Sequence, residues 1–278
     1  MLAFVVSFFL GAVLTKIIDT KILQKVLNIF LIYVGIPLLT FLALQKSGEI
    51  TSHLFIAIII WLVLTLLGYI VFYKEKNKEE SASAFFCGIY NNMGYFGIPL
   101  AYTFFGSAGA AAAAIFLLVE MLVHNTLGIF LSQKIVGKDT MSFGKIPFLW
   151  MIILAIILSF FIHTDSTYLL FMSNASIYLT PFVVGLTCTF GKLPKMYWKS
   201  TILRFIISPI FFAVCAIVFH QNILLYILLG ILPPATTNVI LAIALKYDEK
   251  GASNFVSYTS AIFFIALGII SFFVTGVL

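Results

Sequence analysis

The chain has 278 residues, of which 62% are hydrophobic and only 9% are charged, and its mean hydropathy is +1.15. A soluble domain of this length cannot bury so large an apolar fraction, so the composition excludes a soluble globular protein. The net charge of +6 would suit a nucleic-acid-binding protein. That class is excluded as well, because the basic residues are divided among short loops instead of forming one face.

Apolar stretches of about 20 residues, the length that a helix needs to cross a bilayer, recur along the chain. They predict an all-α polytopic membrane protein with ten transmembrane helices, here called spans one to ten. The predicted spans are 1–18, 24–45, 52–73, 82–105, 109–132, 146–163, 168–190, 197–219, 222–246 and 252–277. The polar stretches between them are too short for a soluble domain.

The basic residues alternate between successive loops. All but one of the 16 Lys and Arg residues lie in or beside the loops after the odd-numbered spans, and the exception is Lys46. Cytoplasmic loops of membrane proteins carry such an excess of Lys and Arg. The pattern therefore predicts a multi-pass protein of the cytoplasmic membrane with both termini outside, and it supports the span count, because a missed span would disturb the alternation.

The chain divides near residue 140 into two halves of five spans, 1–140 and 141–278. Each half has a proline in its second span, Pro37 and Pro181, and several helix-breaking residues in its fourth. Those of span four are Asn91, Asn92, Gly94, Gly97 and Pro99, and those of span nine are Pro233, Pro234, Thr236, Thr237 and Asn238. Because five is odd, the second half must be inverted. Inverted repeats with matching broken helices are typical of secondary transporters.

The breaks predict the position of a substrate site. Proline removes a backbone donor, and the backbone groups freed at a break cannot face lipid. The N-terminal ends of half-helices also carry partial positive charge, which suits an anion. The predicted substrate-binding residues are Asn91, Asn92, Gly97, Pro99, Pro233, Pro234, Thr237 and Asn238. The alternative is that each break is a simple kink, since Pro and Gly are common in membrane helices.

Two ionisable residues of span five are candidates for ion coupling. Glu120 and His124 are four residues apart and share one helix face. Charged groups within a membrane usually face a bundle interior or a cavity, so we expect this pair to bind or relay a coupling proton. The alternative is a structural pair, or a clamp with Asn125. Arg204 and His53 are expected at the membrane interfaces, where a long side chain such as that of Arg204 can reach water.

The cysteines, Cys87, Cys188 and Cys215, lie within apolar stretches and lack zinc-ligand spacing. We expect buried thiols, with no metal site and no cofactor beyond a coupling ion, H⁺ or Na⁺.

Residues 92–100, followed by Phe105 and Gly106, resemble the fourth-helix motif of the auxin efflux carrier family. That family contains plant auxin transporters and bacterial malate permeases, and it shares a fold superfamily with the bile acid sodium symporters. Residues 233–235, with Ala242 and Tyr247, are similar to the ninth-helix motif of the same family.

The resemblance implies a scaffold domain of spans one, two, six and seven and a transport domain of spans three to five and eight to ten. It also implies an elevator-like motion, a homodimer and an organic anion as substrate. By the same resemblance, Asn92 would contact the carboxylate, and spans four and nine would cross at Pro99 and at either Pro233 or Pro234. The short loop between spans five and six favours a compact prokaryotic-type member over a plant auxin carrier.

The sequence therefore predicts a secondary transporter of a malate-like carboxylate. One alternative is a sodium-coupled symporter of the bile acid type, with sodium held by carbonyls and polar side chains at the crossing. The other is an intramembrane enzyme that uses Glu120 and His124 as acid and base. The enzyme is disfavoured because the sequence contains no assembled catalytic motif.

Overall fold

The computed structural model describes residues 2–45, 50–137, 147–164 and 166–275. Within these ranges the chain forms helices and no strand, which confirms the all-α prediction for the described residues. The helices are α1 Leu2–Ile17, α2 Lys21–Leu44, α3 Ile50–Phe72, α4 Lys78–Ile89, α5 Met93–Val136, α6 Pro147–Phe161, α7 Thr167–Leu186, α8 Tyr197–Val218, α9 Ile223–Ile231, α10 Thr237–Ala244 and α11 Glu249–Thr275. Lys46, in the second loop, lies outside the described residues.

Several helices are suited to a bilayer. Six of those described, α2, α3, α5, α7, α8 and α11, are long and apolar enough to cross a membrane, and α1 is a shorter apolar helix. The chain is therefore a multi-pass membrane protein. Two of the predicted spans, 82–105 and 222–246, are each interrupted, and their separate pieces include the short helices α4, α9 and α10.

The long helix α5 changes direction at Gly106. This residue has φ +65° and ψ −158°, a conformation that side chains disfavour, and no atom lies where its Cβ would be. The predicted boundary between spans four and five lies at this glycine. Most residues of the part of α5 from Gly109 to Met121 are buried.

Small residues let two helices of the predicted scaffold approach closely. A Cβ on Gly11 of α1 would lie 2.1 Å from the Phe182 carbonyl oxygen, and a Cβ on Gly185 of α7 would lie 2.1 Å from that of Phe8. Such contacts between small residues are a common means of packing helices in membranes. Alanine at either position would push α1 and α7 apart.

His53 is not at the interface that the sequence predicts. It is buried, and its Nδ1 lies 3.0 Å from the hydroxyl oxygen of Tyr226 in α9. Its position near the start of α3 suggested an exposed side chain, but the Tyr226 side chain of α9 contacts it and supplies a polar partner. The prediction for His53 is wrong for this reason.

Candidate functional site

Two unwound segments, residues 90–92 and 232–236, lie against each other in the interior, and we call them the crossing. The first separates α4 from α5 and the second separates α9 from α10. They pair as a short antiparallel bridge, in which the Asn92 amide donates to the Pro233 carbonyl at 2.8 Å and the Ala235 amide donates to the Tyr90 carbonyl at 3.1 Å. Backbone groups that no helix satisfies are thus satisfied by the other broken helix.

Two asparagines bind the crossing together in a reciprocal way. The Asn91 side-chain amide donates to the Leu229 carbonyl of α9 at 2.7 Å. The Asn238 side-chain amide, in α10, donates to the Phe86 and Tyr90 carbonyls at the end of α4, at 3.2 and 3.0 Å. Each broken helix therefore holds the carbonyl end of the other.

Arg204 is a third donor at these carbonyl ends, and the prediction that it reaches the membrane interface is wrong. It is fully buried. Its Nη1 donates to the Ile89 carbonyl at the end of α4, and its Nη2 donates to the Gly230 carbonyl of α9 at 2.9 Å and to the Ser208 hydroxyl. The side chain remains inside because α8 packs this turn against the crossing, where carbonyl oxygens replace water.

A cavity of about 650 Å³ adjoins the crossing. Its wall is mostly aliphatic, and its polar residues come from four helices, from the crossing and from the residue just past α7. They include Gln24, Asn28, Asn91, Asn92, Tyr95, Glu120, His124, Asn125, Thr187, Thr236, Thr237, Ser253 and Ser257. The walls contain no Lys or Arg among the described residues, and Glu120 is the carboxylate among them.

The structure brings some of the predicted site residues to this cavity and leaves others away from it. Asn91, Asn92, Thr237, Glu120 and His124 line its wall.

Pro233 and Pro234 belong to the crossing behind the wall, and Asn238 in α10 bonds to the end of α4. Both prolines belong to the unwound segment that pairs with residues 90–92, so the crossing does not lie at one of the two prolines alone. Gly97 and Pro99 lie within α5, beyond the crossing.

The position of Gly97 and Pro99 has a packing explanation. A Cβ on Gly97 would lie 2.5 Å from the sulfur of Met93 and 3.0 Å from a methyl carbon of Leu232, so this glycine lets α5 pack against the crossing. Pro99 occupies the start of an α-helical segment after a π-helical turn, where a missing amide is tolerated.

Sequence reasoning missed the contribution of α2. Gln24 and Asn28 line the cavity, and the Tyr95 hydroxyl of α5 donates to the Asn28 side-chain oxygen at 2.9 Å. The signal was present, because Gln24 and Asn28 are four residues apart and therefore lie on one face of a mostly apolar helix.

Several buried polar atoms on the cavity wall have no hydrogen-bond partner among the described residues. They are Asn91 Oδ1, Asn92 Nδ2, Glu120 Oε2 and His124 Nε2. Buried polar atoms in proteins nearly always have partners, so four on one wall mark a place where a polar ligand or water can bind. All four residues are at most 3% exposed.

The geometry of Glu120 and His124 does not match a structural pair. Within the described part of the chain no hydrogen bond joins them, and the His124 ring stacks on Tyr90, with ring centroids 3.9 Å apart. Asn125 donates to Met121 in its own helix at 2.7 Å, so it is not the clamp considered as an alternative. The Glu120 carboxylate interacts with the Asn91 backbone amide instead.

The N-terminal ends of two half-helices also reach the cavity. Gly94 in the first turn of α5 and Thr236 and Thr237 at the start of α10 line its wall. Helix N-termini present free amides and partial positive charge. Because the described wall contains no Lys or Arg, these helix ends are its source of partial positive charge. No group of three or more potential metal ligands occurs among the described residues.

The sequence was also compared with known proteins. No family model matches the chain. A protein of Methanocaldococcus jannaschii, described as an uncharacterized transporter, is 26% identical over 272 residues, which cover 87% of this chain and 88% of the relative. Together with the membrane helices, this similarity supports a membrane transporter and points away from an enzyme.

Proposed function

We propose that this protein is a secondary transporter that carries a small organic anion, a malate-like carboxylate, across the cytoplasmic membrane. The observation that carries the proposal is the cavity beside the crossing, where unpaired polar atoms and two half-helix N-termini converge. Ligand sites of secondary transporters form where helices are interrupted in mid-membrane.

The proposal includes the membrane topology and the family. The chain crosses the membrane ten times with both termini outside, as two inverted five-helix repeats of an auxin efflux carrier-like protein. The reciprocal bonds of Asn91 and Asn238 support the repeat, because each joins an interrupted helix of one half to the other. The motif at 92–100 supports the family, since Asn92 begins the half-helix that lines the cavity.

Asn92 would bind the carboxylate of the substrate. Its side-chain oxygen already accepts from the Tyr95 amide at 3.3 Å, and its Nδ2 donor is buried without a partner in a residue that lines the cavity. The partial positive charge at the starts of α5 and α10 would complete the anion site, as helix N-termini do for other anions.

Glu120 and His124 would couple transport to a proton. An ionised Glu120 would repel a substrate anion in the same water-poor cavity, so binding is favoured when Glu120 is protonated. The substrate and a proton would then move together. Sodium held by the Glu120 carboxylate is the competing form of coupling, and separate ion gradients distinguish the two.

The cavity wall extends to one end of several helices. Its wall reaches Gln24 in the first turn of α2, Thr187 just past α7 and Ala244 at the end of α10. The loop lysines Lys21 and Lys246 lie at these same ends of α2 and α10. In the proposed topology these ends are cytoplasmic, so the cavity would open inward in this conformation of an alternating-access cycle.

The proposal is tested by uptake of labelled malate into liposomes that contain the purified protein, under separate proton and sodium gradients. We expect uptake that requires the proton gradient and that falls to background in Glu120→Gln and Asn92→Ala. The matched control is Asn174→Ala, which removes an exposed asparagine of α7. Malate uptake that persists in both variants, or no uptake of malate under either gradient, would overturn the proposal as stated.

A further inference from the structure

Arg204 joins the carbonyl ends of both interrupted helices. Ile89, whose carbonyl it binds, is the last residue of α4, and Gly230 is the next-to-last residue of α9. The C-terminus of a helix carries partial negative charge on its unsatisfied carbonyls. Two such ends meet at one buried guanidinium, whose planar fork can donate to several acceptors at once.

The same cation is linked to Glu120 on the cavity wall. The two side chains interact electrostatically, although they form no direct ion pair within the described residues. Both also contact the same short stretch of backbone: Arg204 binds the Ile89 carbonyl, and Glu120 interacts with the Asn91 amide. The crossing therefore lies between a buried cation on α8 and a buried carboxylate on α5.

We infer that Arg204 is a positioning residue for transport: it holds the ends of α4 and α9 together and supplies the positive charge against which Glu120 is held. This inference rests on the proposed function for its effect on transport, but its structural part does not. Arg204 does not line the cavity, so it acts through the crossing and Glu120 and not by contact with the substrate.

The surroundings of Glu120 leave Arg204 as its counter-charge. Among the described residues, the other titratable side chains near Glu120 are His124 on its own helix and Tyr90 in the crossing, whose rings stack on each other. A buried charge whose partner is removed is strongly destabilising, whereas removal of both charges is much less so. Glu120 and Arg204 should therefore behave as a coupled pair.

The experiment is a double-mutant cycle on the full-length protein in detergent, read by thermal unfolding and needing no substrate. The variants are Arg204→Gln, Glu120→Gln and the two combined. We expect Arg204→Gln to lower the melting temperature and Glu120→Gln to recover part of that loss when the two are combined, because the carboxylate is then no longer unpaired. Additive shifts, or an Arg204→Gln melting temperature equal to that of the unchanged protein, would overturn the inference.

Lys199→Gln is the matched control, because Lys199 is a cation of the same helix that pairs with Glu75 near the predicted cytoplasmic end. It should show no coupling to Glu120→Gln. If Arg204→Gln does not fold alone, recovery of folded protein by the combined variant supports the inference. If the combined variant also fails to fold, Arg204→Lys is used instead, because it keeps the charge but removes the planar fork that joins the two helix ends. A melting temperature of Arg204→Lys equal to that of the unchanged protein would then overturn the inference.

Transport kinetics separate positioning from a merely structural role. Arg204→Lys keeps the charge but not the fork, so we expect turnover to fall by roughly tenfold while KM changes by less than about threefold, as for a group that does not contact the substrate. An increase in KM without loss of turnover would mean that Arg204 contacts the substrate. If malate is not transported at all, the unfolding cycle still decides the structural claim.

Discussion

The two sides of the crossing are built from the same interrupted helices but in opposite ways. On the carbonyl side, the ends of α4 and α9 receive donors from Arg204, Asn91 and Asn238. On the amide side, the starts of α5 and α10 face a cavity, and Asn92 keeps an unpaired donor there. One side is closed by protein groups, and the other is left for a ligand.

This difference follows from the chemistry of the two ends. Carbonyl oxygens need donors, and a single guanidinium with two side-chain amides supplies them within the protein. The amide ends need acceptors, and a substrate carboxylate is an acceptor that can come and go. The comparison predicts that variants of the carbonyl side weaken folding, whereas variants of the amide side weaken substrate binding.

The largest effect is expected for Asn238→Ala on the carbonyl side. The change removes two hydrogen bonds, to Phe86 and Tyr90, and should lower the free energy of unfolding by about 2 kcal/mol. Denaturant titration of the detergent-solubilised protein measures it, with the exposed Asn174→Ala as control. If Asn238→Ala is as stable as the control, the hydrogen bonds of Asn238 do not stabilise the carbonyl side of the crossing.

A pair of substitutions at adjacent asparagines sharpens the contrast. Asn92→Ser retains an acceptor for the helix cap but removes the free Nδ2 donor, so we expect KM for the substrate anion to rise roughly tenfold with little change in stability. Asn91→Ser loses the bond to Leu229, so it should lower stability by about 1 kcal/mol.

Both quantities are measured for both asparagine variants, KM by liposome uptake and stability by denaturant titration. The same KM change in both variants, or a stability loss confined to Asn92→Ser, would contradict the division into two sides.

A smaller effect is expected for Tyr95→Phe, which removes the hydrogen bond from α5 to Asn28 of α2. The bond links the proposed transport domain to the proposed scaffold, and its loss should shift the conformational equilibrium by about 1 kcal/mol, or roughly fivefold. The measurement is labelling of Cys188, which lines the cavity, by a membrane-impermeant thiol reagent.

The labelling uses a background in which Cys87 and Cys215 are replaced by alanine, with Cys188→Ala as the blank. Tyr102→Phe, which alters an exposed tyrosine of α5, is the control. Equal labelling rates for Tyr95→Phe and Tyr102→Phe would show that the bond does not restrain the movement.

The smallest effect is expected for Pro99→Ala. The crossing is held by hydrogen bonds at 90–92, and Pro99 lies beyond it at a helical position that accepts alanine, so stability should change by less than about 1 kcal/mol with uptake retained. Uptake and thermal unfolding are measured together. Loss of uptake from a stable Pro99→Ala protein would contradict this prediction and would support a role for Pro99 at the crossing, as the family resemblance implied.

The sequence by itself determined the features that depend on composition and on local backbone chemistry. Apolar content and helix-length stretches established a helical membrane protein. Pro233 and Pro234 lack backbone donors, so the local chain interrupts the helix there. Gly106 is a residue that can adopt a positive φ. Polar residues next to these interruptions made Asn91, Asn92 and Thr237 visible as candidates, and all three line the cavity.

Only the tertiary structure decided where donors find acceptors. The first break lies at 90–92 and not at Pro99 because the carbonyl of Pro233 and the amide of Ala235 are there to pair with it. Arg204 is buried, and Asn28 faces the cavity, because the helices around them supply partners and space from distant parts of the chain. Local sequence decides where a helix cannot continue. The partners of the freed groups depend on which helices come together.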